Sequence, residues 1–198
     1  MIARPMILSP CQITAISVSS KPSSRKTKLR RKQNTKSKNL VFLTQGAMIA
    51  AIYVALTYVF APISFSEIQV RIAEALTILP VFTPAAIPGL FIGCLLGNAM
   101  GGALLPDIIC GSLATLVGAF FTWKLRNAHP FLAPIPPILA NTLVVPFVLR
   151  YAYMVDLPIP LMMLTVCIGE ILSCGVLGLI LYYALRPYKA RIFHSAEA

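Results

Sequence analysis

Six side chains hold most of the chemistry available in this 198-residue sequence: Glu67, Arg71, Glu74, Asn98, Asp107 and Glu170. Glu67, Arg71 and Glu74 stand at i, i+4 and i+7, a spacing that would put two carboxylates around one guanidinium on a single helical face. A self-neutralised triad at a membrane interface would use the same spacing. Glu74, however, runs directly into Ala75–Val81, apolar surroundings in which an ionised group is costly and commonly lines a cavity or pathway. Asp107 follows Pro106, where a negative charge favours the positive end of a helix macrodipole. Glu170 falls about ten residues into the last apolar run, beside Gly169, where packing alone explains a carboxylate poorly. Asn98 and Asn141 are intramembrane amides that could equally bond a neighbouring helix.

Catalytic arrangements are poorly supported. His129 and His194 lie in a loop and in the C-terminal tail, away from any intramembrane Ser or Cys, and there is neither an HExxH nor a GxxxxGK[ST] phosphate loop. Ser112 therefore lacks a base. The five cysteines form no CxxC pair; Cys94, Cys110, Cys167 and Cys174 read as small packing residues, with no disulfide, metal or cofactor expected. The protein is expected not to be an enzyme.

The elements that must position these groups follow from composition. Apolar residues make up 58% of the chain and charged ones only 12%, against about 25% charged in soluble domains. The solvent is lipid. Residues 1–39 form a basic tail, rich in Ser, Thr, Lys and Arg, that is expected to be disordered; its acid-free composition also suits a transit peptide or an upstream start codon. From Leu40 the breakers divide the chain into spans at 40–61, 68–83, 85–100, 106–125, 134–152 and 160–186, leaving 187–198 as a short C-terminal tail. The run from Ile72 to Met100 would be about 43 Å long as one helix, more than a bilayer core of about 30 Å, and Thr83-Pro84 splits it.

Charge placement supports the same count. With six spans and the N-terminal tail inside, 15 of the 17 basic residues fall on the cytoplasmic side, leaving Arg71 and Arg150 outside; five spans put six basic residues on the wrong face. The predicted fold is an all-α integral membrane protein, a bundle of six transmembrane helices with both termini cytoplasmic in the cell membrane. Because ten of the 17 basic residues precede Leu40, the formal +11 belongs to the tail, and no nucleic-acid partner is expected.

Small residues form two stripes on the first span: Ala47, Ala51 and Ala55 beside Gly46 and Ala50. Gly93, Gly97 and Gly101 repeat the pattern on the third. Such stripes let backbones approach closely in lipid, either within the bundle or against a partner. Polar groups inside a compact bundle suggest a binding pocket, and carboxylates suit a ligand with several N–H donors or a positive charge.

The run Glu67-Ile-Gln-Val-Arg71-Ile-Ala-Glu74-Ala-Leu-Thr-Ile-Leu-Pro80, followed by Ala86–Leu95 and Asp107–Leu116, closely resembles the QueT-type queuosine-precursor transporters. Leu132–Pro137, Asn141 and Gly169-Glu170 extend the likeness across residues 40 to about 186. The resemblance implies the substrate-binding S component of an energy-coupling-factor (ECF) importer, with a pocket at the outer face for a 7-deazaguanine or queuine. It also implies partners: a transmembrane T component met by Ala47, Ala51 and Ala55, and two cytoplasmic ATPases. Glu74 or Glu170 would then accept the guanine-like edge, Asp107 or Glu67 would meet an aminomethyl cation, and Arg71 would orient Glu74. Another vitamin or purine-like ligand, a stand-alone carrier and a structural membrane protein remain as alternatives.

Overall fold

The computed structural model describes residues 24–60 and 71–189, with side chains from residue 35 onward. Glu67 therefore lies outside the described residues. Among them the chain forms six helices: α1 (Ser24–Val59), α2 (Ile72–Val81), α3 (Ala86–Met100), α4 (Leu105–Lys124), α5 (Ile135–Tyr151) and α6 (Ile159–Tyr188). Four segments, Thr35–Val59, Leu105–Lys124, Pro130–Tyr151 and Ile159–Tyr188, are long and apolar enough to cross a membrane, whereas α2 and α3 are shorter apolar helices. The break between those two falls at Thr83-Pro84, as the 43 Å argument requires. Helical backbone in α1 begins at Ser24, upstream of the predicted boundary at Leu40. Lys, Arg and Gln are good helix formers, so helical geometry runs past the point where the apolar pattern stops. Residues 24–35 belong to a separate unit from Lys36–Ala198.

α2 is the centre of the second unit. Every residue from Ala73 to Pro80 is buried, while α4 exposes Ile109, Leu113, Val117 and Phe120 and α6 exposes Leu164, Ile168 and Ile180. Apolar side chains turned outward along long helices are what a lipid-facing bundle requires. α2 is a 3-10 helix, tighter and longer-rising than an α-helix, at about 2.0 Å per residue; its ten residues reach about 20 Å. Pro80, which has no N–H to donate, is part of it. The sequence predicted a helix over 68–83 with Arg71 inside it. Arg71 is instead extended (φ −85°, ψ 91°) and caps α2, its carbonyl accepting the Glu74 N–H at 2.9 Å.

α3 packs on α1 through glycine. A Cβ on Gly89 would lie 2.6 Å from the Gly46 carbonyl oxygen, and one on Gly93 would lie 2.8 Å from Tyr53 Cβ. Gly97 meets Thr57 in the same way, at 3.1 Å. Gly46, Ala50, Tyr53 and Thr57 are thus the inward face of α1, with Tyr53 only 1% exposed. Ala47, Ala51 and Ala55 are exposed on another face. Gly102, at φ +79°, turns the chain from α3 into α4 through a conformation that only glycine adopts freely, and Pro106 opens α4 where its missing N–H costs nothing.

α6 carries a π-helical stretch, Ile171–Leu177, immediately after Glu170. Such wide turns are rare and occur frequently at functional sites.

Candidate functional site

The predicted residues gather in two buried clusters. In the first, Arg71 Nη2 donates to both oxygens of Asp107, at 3.4 and 3.3 Å. Tyr153, from the α5–α6 connection, donates its hydroxyl to Asp107 Oδ2 at 3.1 Å and accepts the Leu104 N–H at 3.1 Å. Burial raises the Tyr153 phenol above its ordinary pKa, so it remains a donor at neutral pH. Asn98 stands beside this pair: a Cβ on Gly111 would lie within 3.6 Å of Asn98 Nδ2, Asp107 Oδ1 and Arg71 Nη1. Asp107 is in the first turn of α4 and so serves both the macrodipole and the ion pair.

In the second cluster Glu74 from α2 meets Glu170 from α6. Tyr53 Oη donates to Glu74 Oε1 at 2.6 Å, and Thr115 Oγ1 lies 3.2 Å from the same oxygen. Asn141 Nδ2 donates to Glu170 Oε1 at 2.9 Å, and the Cys174 thiol donates to Glu170 Oε2 at 3.1 Å. Thr77 seals its own hydroxyl onto the Glu74 carbonyl oxygen at 2.6 Å. Ligand atoms of Glu74, Glu170 and Cys174 lie within 4.8 Å of one another, an oxygen and sulfur set that could also hold a divalent cation. Glu74 is fully buried, and among the described residues its Oε2 is one of two buried side-chain polar atoms without a hydrogen-bond partner, the other being Thr142 Oγ1.

Cys94 and Thr115 link the clusters. Cys94 Sγ lies 3.5 Å from both Asn98 Nδ2 and Thr115 Oγ1.

Two expectations change. Arg71 does not orient Glu74: its hydrogen bonds go to Asp107, because the extended backbone at Arg71 breaks the helical face on which i and i+3 would meet. Tyr53 and Thr115 orient Glu74 instead. Cys174 does more than pack, since its thiol joins Glu170. Sequence reasoning gave Tyr53, Thr77 and Thr115 no role in the site, and read Tyr153 only as an interfacial aromatic ring. For Thr77 and Cys174 a signal existed, the i+3 and i+4 positions after Glu74 and Glu170. Tyr53 and Thr115 come from other helices and only the fold brings them in.

The charge balance differs between the clusters. Arg71 and Asp107 neutralise one another, whereas Glu74 and Glu170 have only neutral donors. An ionised pair in a dry bundle is strongly disfavoured unless something positive or donor-rich joins it. The arrangement can therefore accept hydrogen bonds from, or neutralise, a small ligand.

A groove of about 680 Å³ runs along the outside of the bundle between α1 and α3; its lining includes Ala47, Ala51, Ala55, Ile92, Leu96 and Met100. The alanine stripe thus faces outward along this groove, while Gly93 and Gly97 pack internally.

Residues 43–187 match the family described as QueT transporter. The queuosine precursor transporter QueT of Lactococcus lactis subsp. cremoris (strain MG1363) is 37% identical over 73 residues, covering 36% of this chain and 43% of that protein. The chain thus spans less than half the length of the curated relative it matches. No solved structure matches it. A buried pair of carboxylates in a lipid-facing bundle suits a carrier of small molecules, and the family pattern runs from α1 to the end of α6: this multi-pass membrane protein belongs to the QueT transporter family.

Proposed function

We propose that the chain is the substrate-binding S component of an ATP-driven ECF importer for queuosine precursors, with Glu74 and Glu170 as the ligand-reading groups. The observation that carries this reading is the Glu74–Glu170 pair, buried and met by neutral side chains, with Glu74 Oε2 unpartnered among the described residues. A 7-deazaguanine offers N1–H and 2-amino donors side by side, which match carboxylate acceptors. Asn98, Arg71 and Asp107, next to the pair, would form one wall of the ligand site. Asp107 is already paired with Arg71, so Glu74 and Glu170, which have no ion-pair partner among the described residues, are better partners for an aminomethyl cation than the Asp107 or Glu67 of the sequence reading. Glu67, in the segment before α2, is retained as a further contact.

The same reading gives the outward alanine stripe a purpose. Ala47, Ala51 and Ala55 would seat a transmembrane T component in the α1–α3 groove, with ATP hydrolysed by two cytoplasmic partners. Lys124 and Arg126, with Arg186 and Lys189, would share the cytoplasmic side with both termini, all six helices crossing the cell membrane.

The test is ligand-induced thermal stabilisation of the detergent-purified chain with 7-aminomethyl-7-deazaguanine, its 7-cyano analogue, queuine and guanine. At 100 dissociation constants of ligand, linkage predicts about 2.7 kcal/mol. Stabilisation by deazapurines and not by guanine supports the reading; none, from folded protein, rejects it. Uptake by the chain alone in vesicles would reject the ATP-driven part and favour a stand-alone carrier.

A further inference from the structure

The two carboxylates of the pair are not equivalent, and their remaining acceptor capacity says what each can read. This inference rests on the reading just proposed. A carboxylate oxygen offers two lone-pair directions. In Glu170 each oxygen has one donor already, Asn141 on Oε1 and the Cys174 thiol on Oε2, so each keeps one site. The group is left as a two-point fork. In Glu74 the Tyr53 hydroxyl donates to Oε1, and the Thr115 hydroxyl, whose one proton also faces the Gly111 carbonyl oxygen at 3.0 Å, closes off the same oxygen at 3.2 Å; Oε2 has no donor. Glu74 is left with Oε2 as a single open point with two lone pairs.

We propose that Glu170 reads the paired N–H donors of a purine-like ring edge, while Glu74 takes the ligand's one strongest donor, a protonated amine. Two parallel hydrogen bonds need one acceptor on each oxygen, which Glu170 has. A compact ammonium needs concentrated negative charge and tolerates several acceptor directions, which Glu74 Oε2 provides. Among the described residues no positive group donates a hydrogen bond to Glu74, and Arg71 donates to Asp107. The remaining ionisable neighbours, Tyr53, Cys94 and Cys174, are neutral acids with nothing positive to offer.

The experiment measures two affinity ratios on the full purified chain. The edge ratio compares 7-aminomethyl-7-deazaguanine with 7-aminomethyl-7-deazahypoxanthine, which lacks the 2-amino group. The amine ratio compares it with 7-cyano-7-deazaguanine, which lacks the cation. In the wild type each ratio should be about ten-fold or more, the scale of a charged hydrogen bond. Glu170→Gln should collapse the edge ratio toward unity and keep the amine ratio; Glu74→Gln should do the reverse. Cys174→Ala removes the donor on Glu170 Oε2 and touches Glu74 only at its main-chain carbonyl, not at its carboxylate; it provides a second route should either glutamine variant fold poorly, and should change the edge ratio alone. An exchanged pattern, or both ratios falling together in each variant, overturns the assignment. Wild-type protein that binds none of the probes overturns the proposed function and the assignment with it, whereas binding with undivided ratios overturns the assignment only.

Discussion

Two sets of charged groups are buried in this bundle, and they are built in opposite ways. Arg71 and Asp107 sit 3.3 Å apart with Tyr153 and Asn98 around them, a closed set with balanced charge. Glu74 and Glu170 converge from α2 and α6 on neutral donors alone, and one oxygen is left with no partner. Burial of a balanced, hydrogen-bonded pair is tolerable; burial of two ionised carboxylates is not, unless a proton or a group from outside joins them. The first set holds α2 to α4. On the proposed function, the second is where a ligand would contribute more than it displaces.

The largest effect expected from this contrast is on the balanced pair. Arg71→Ala leaves Asp107 buried and uncompensated, and should cost about 3–5 kcal/mol of stability, read as a lost or lowered melting transition in detergent. The double variant Arg71→Ala/Asp107→Ala should recover much of that loss, which a purely steric role for Arg71 would not allow. Next in size, Glu74→Gln and Glu170→Gln should each weaken ligand binding by about 1.5–3 kcal/mol while leaving the ligand-free melting temperature unchanged or raised. Opposite signs at the two clusters are what the comparison predicts; a ligand-free Glu170→Gln that melts as low as Arg71→Ala would erase the distinction.

The two faces of α1 sharpen the contrast further. Gly93→Leu drives a side chain into Tyr53, 2.8 Å from the Cβ position, and should destabilise by about 1–3 kcal/mol. Ala51→Leu, on the exposed face, should stay within about 0.5 kcal/mol of wild type and bind ligand normally, yet lose T-component co-purification and uptake. A modest effect on stability alone is expected at the α5–α6 connection. Tyr153→Phe removes one hydroxyl bond to Asp107, worth about 1 kcal/mol. Because burial raises this phenol, its contribution is complete below the ordinary tyrosine range and fades only as pH climbs through the raised value. A pH scan of the melting temperature should therefore separate wild type from Tyr153→Phe across neutral pH and merge them only in strong alkali.

Much of the bundle was legible in advance, because hydropathy acts over whole helices. The split at Thr83-Pro84 followed from length alone. What sequence periodicity could not reach was α2. An i, i+4, i+7 pattern assumes α-helical geometry, and Arg71 is extended before a 3-10 helix that includes Pro80, so its partner came from α4 instead of from its own element. The carboxylates of the site were visible because charge is rare in apolar runs. Their donors were not: Tyr53, Thr115 and Cys174 are ordinary residues of apolar helices until three helices bring them to two carboxylates. The division of α1 into an inward face of Gly46, Ala50, Tyr53 and Thr57 and an outward alanine face needed the register against α3, which two overlapping stripes of small residues leave open.

The most direct measurement is calorimetric titration of 7-aminomethyl-7-deazaguanine into the wild-type chain and into Glu74→Gln/Glu170→Gln, each checked for a cooperative melting transition. Saturable binding by the wild type and none by an equally or more stable double variant is the predicted result. A folded double variant that binds as tightly as the wild type would place the ligand elsewhere and contradict the role assigned to the buried pair.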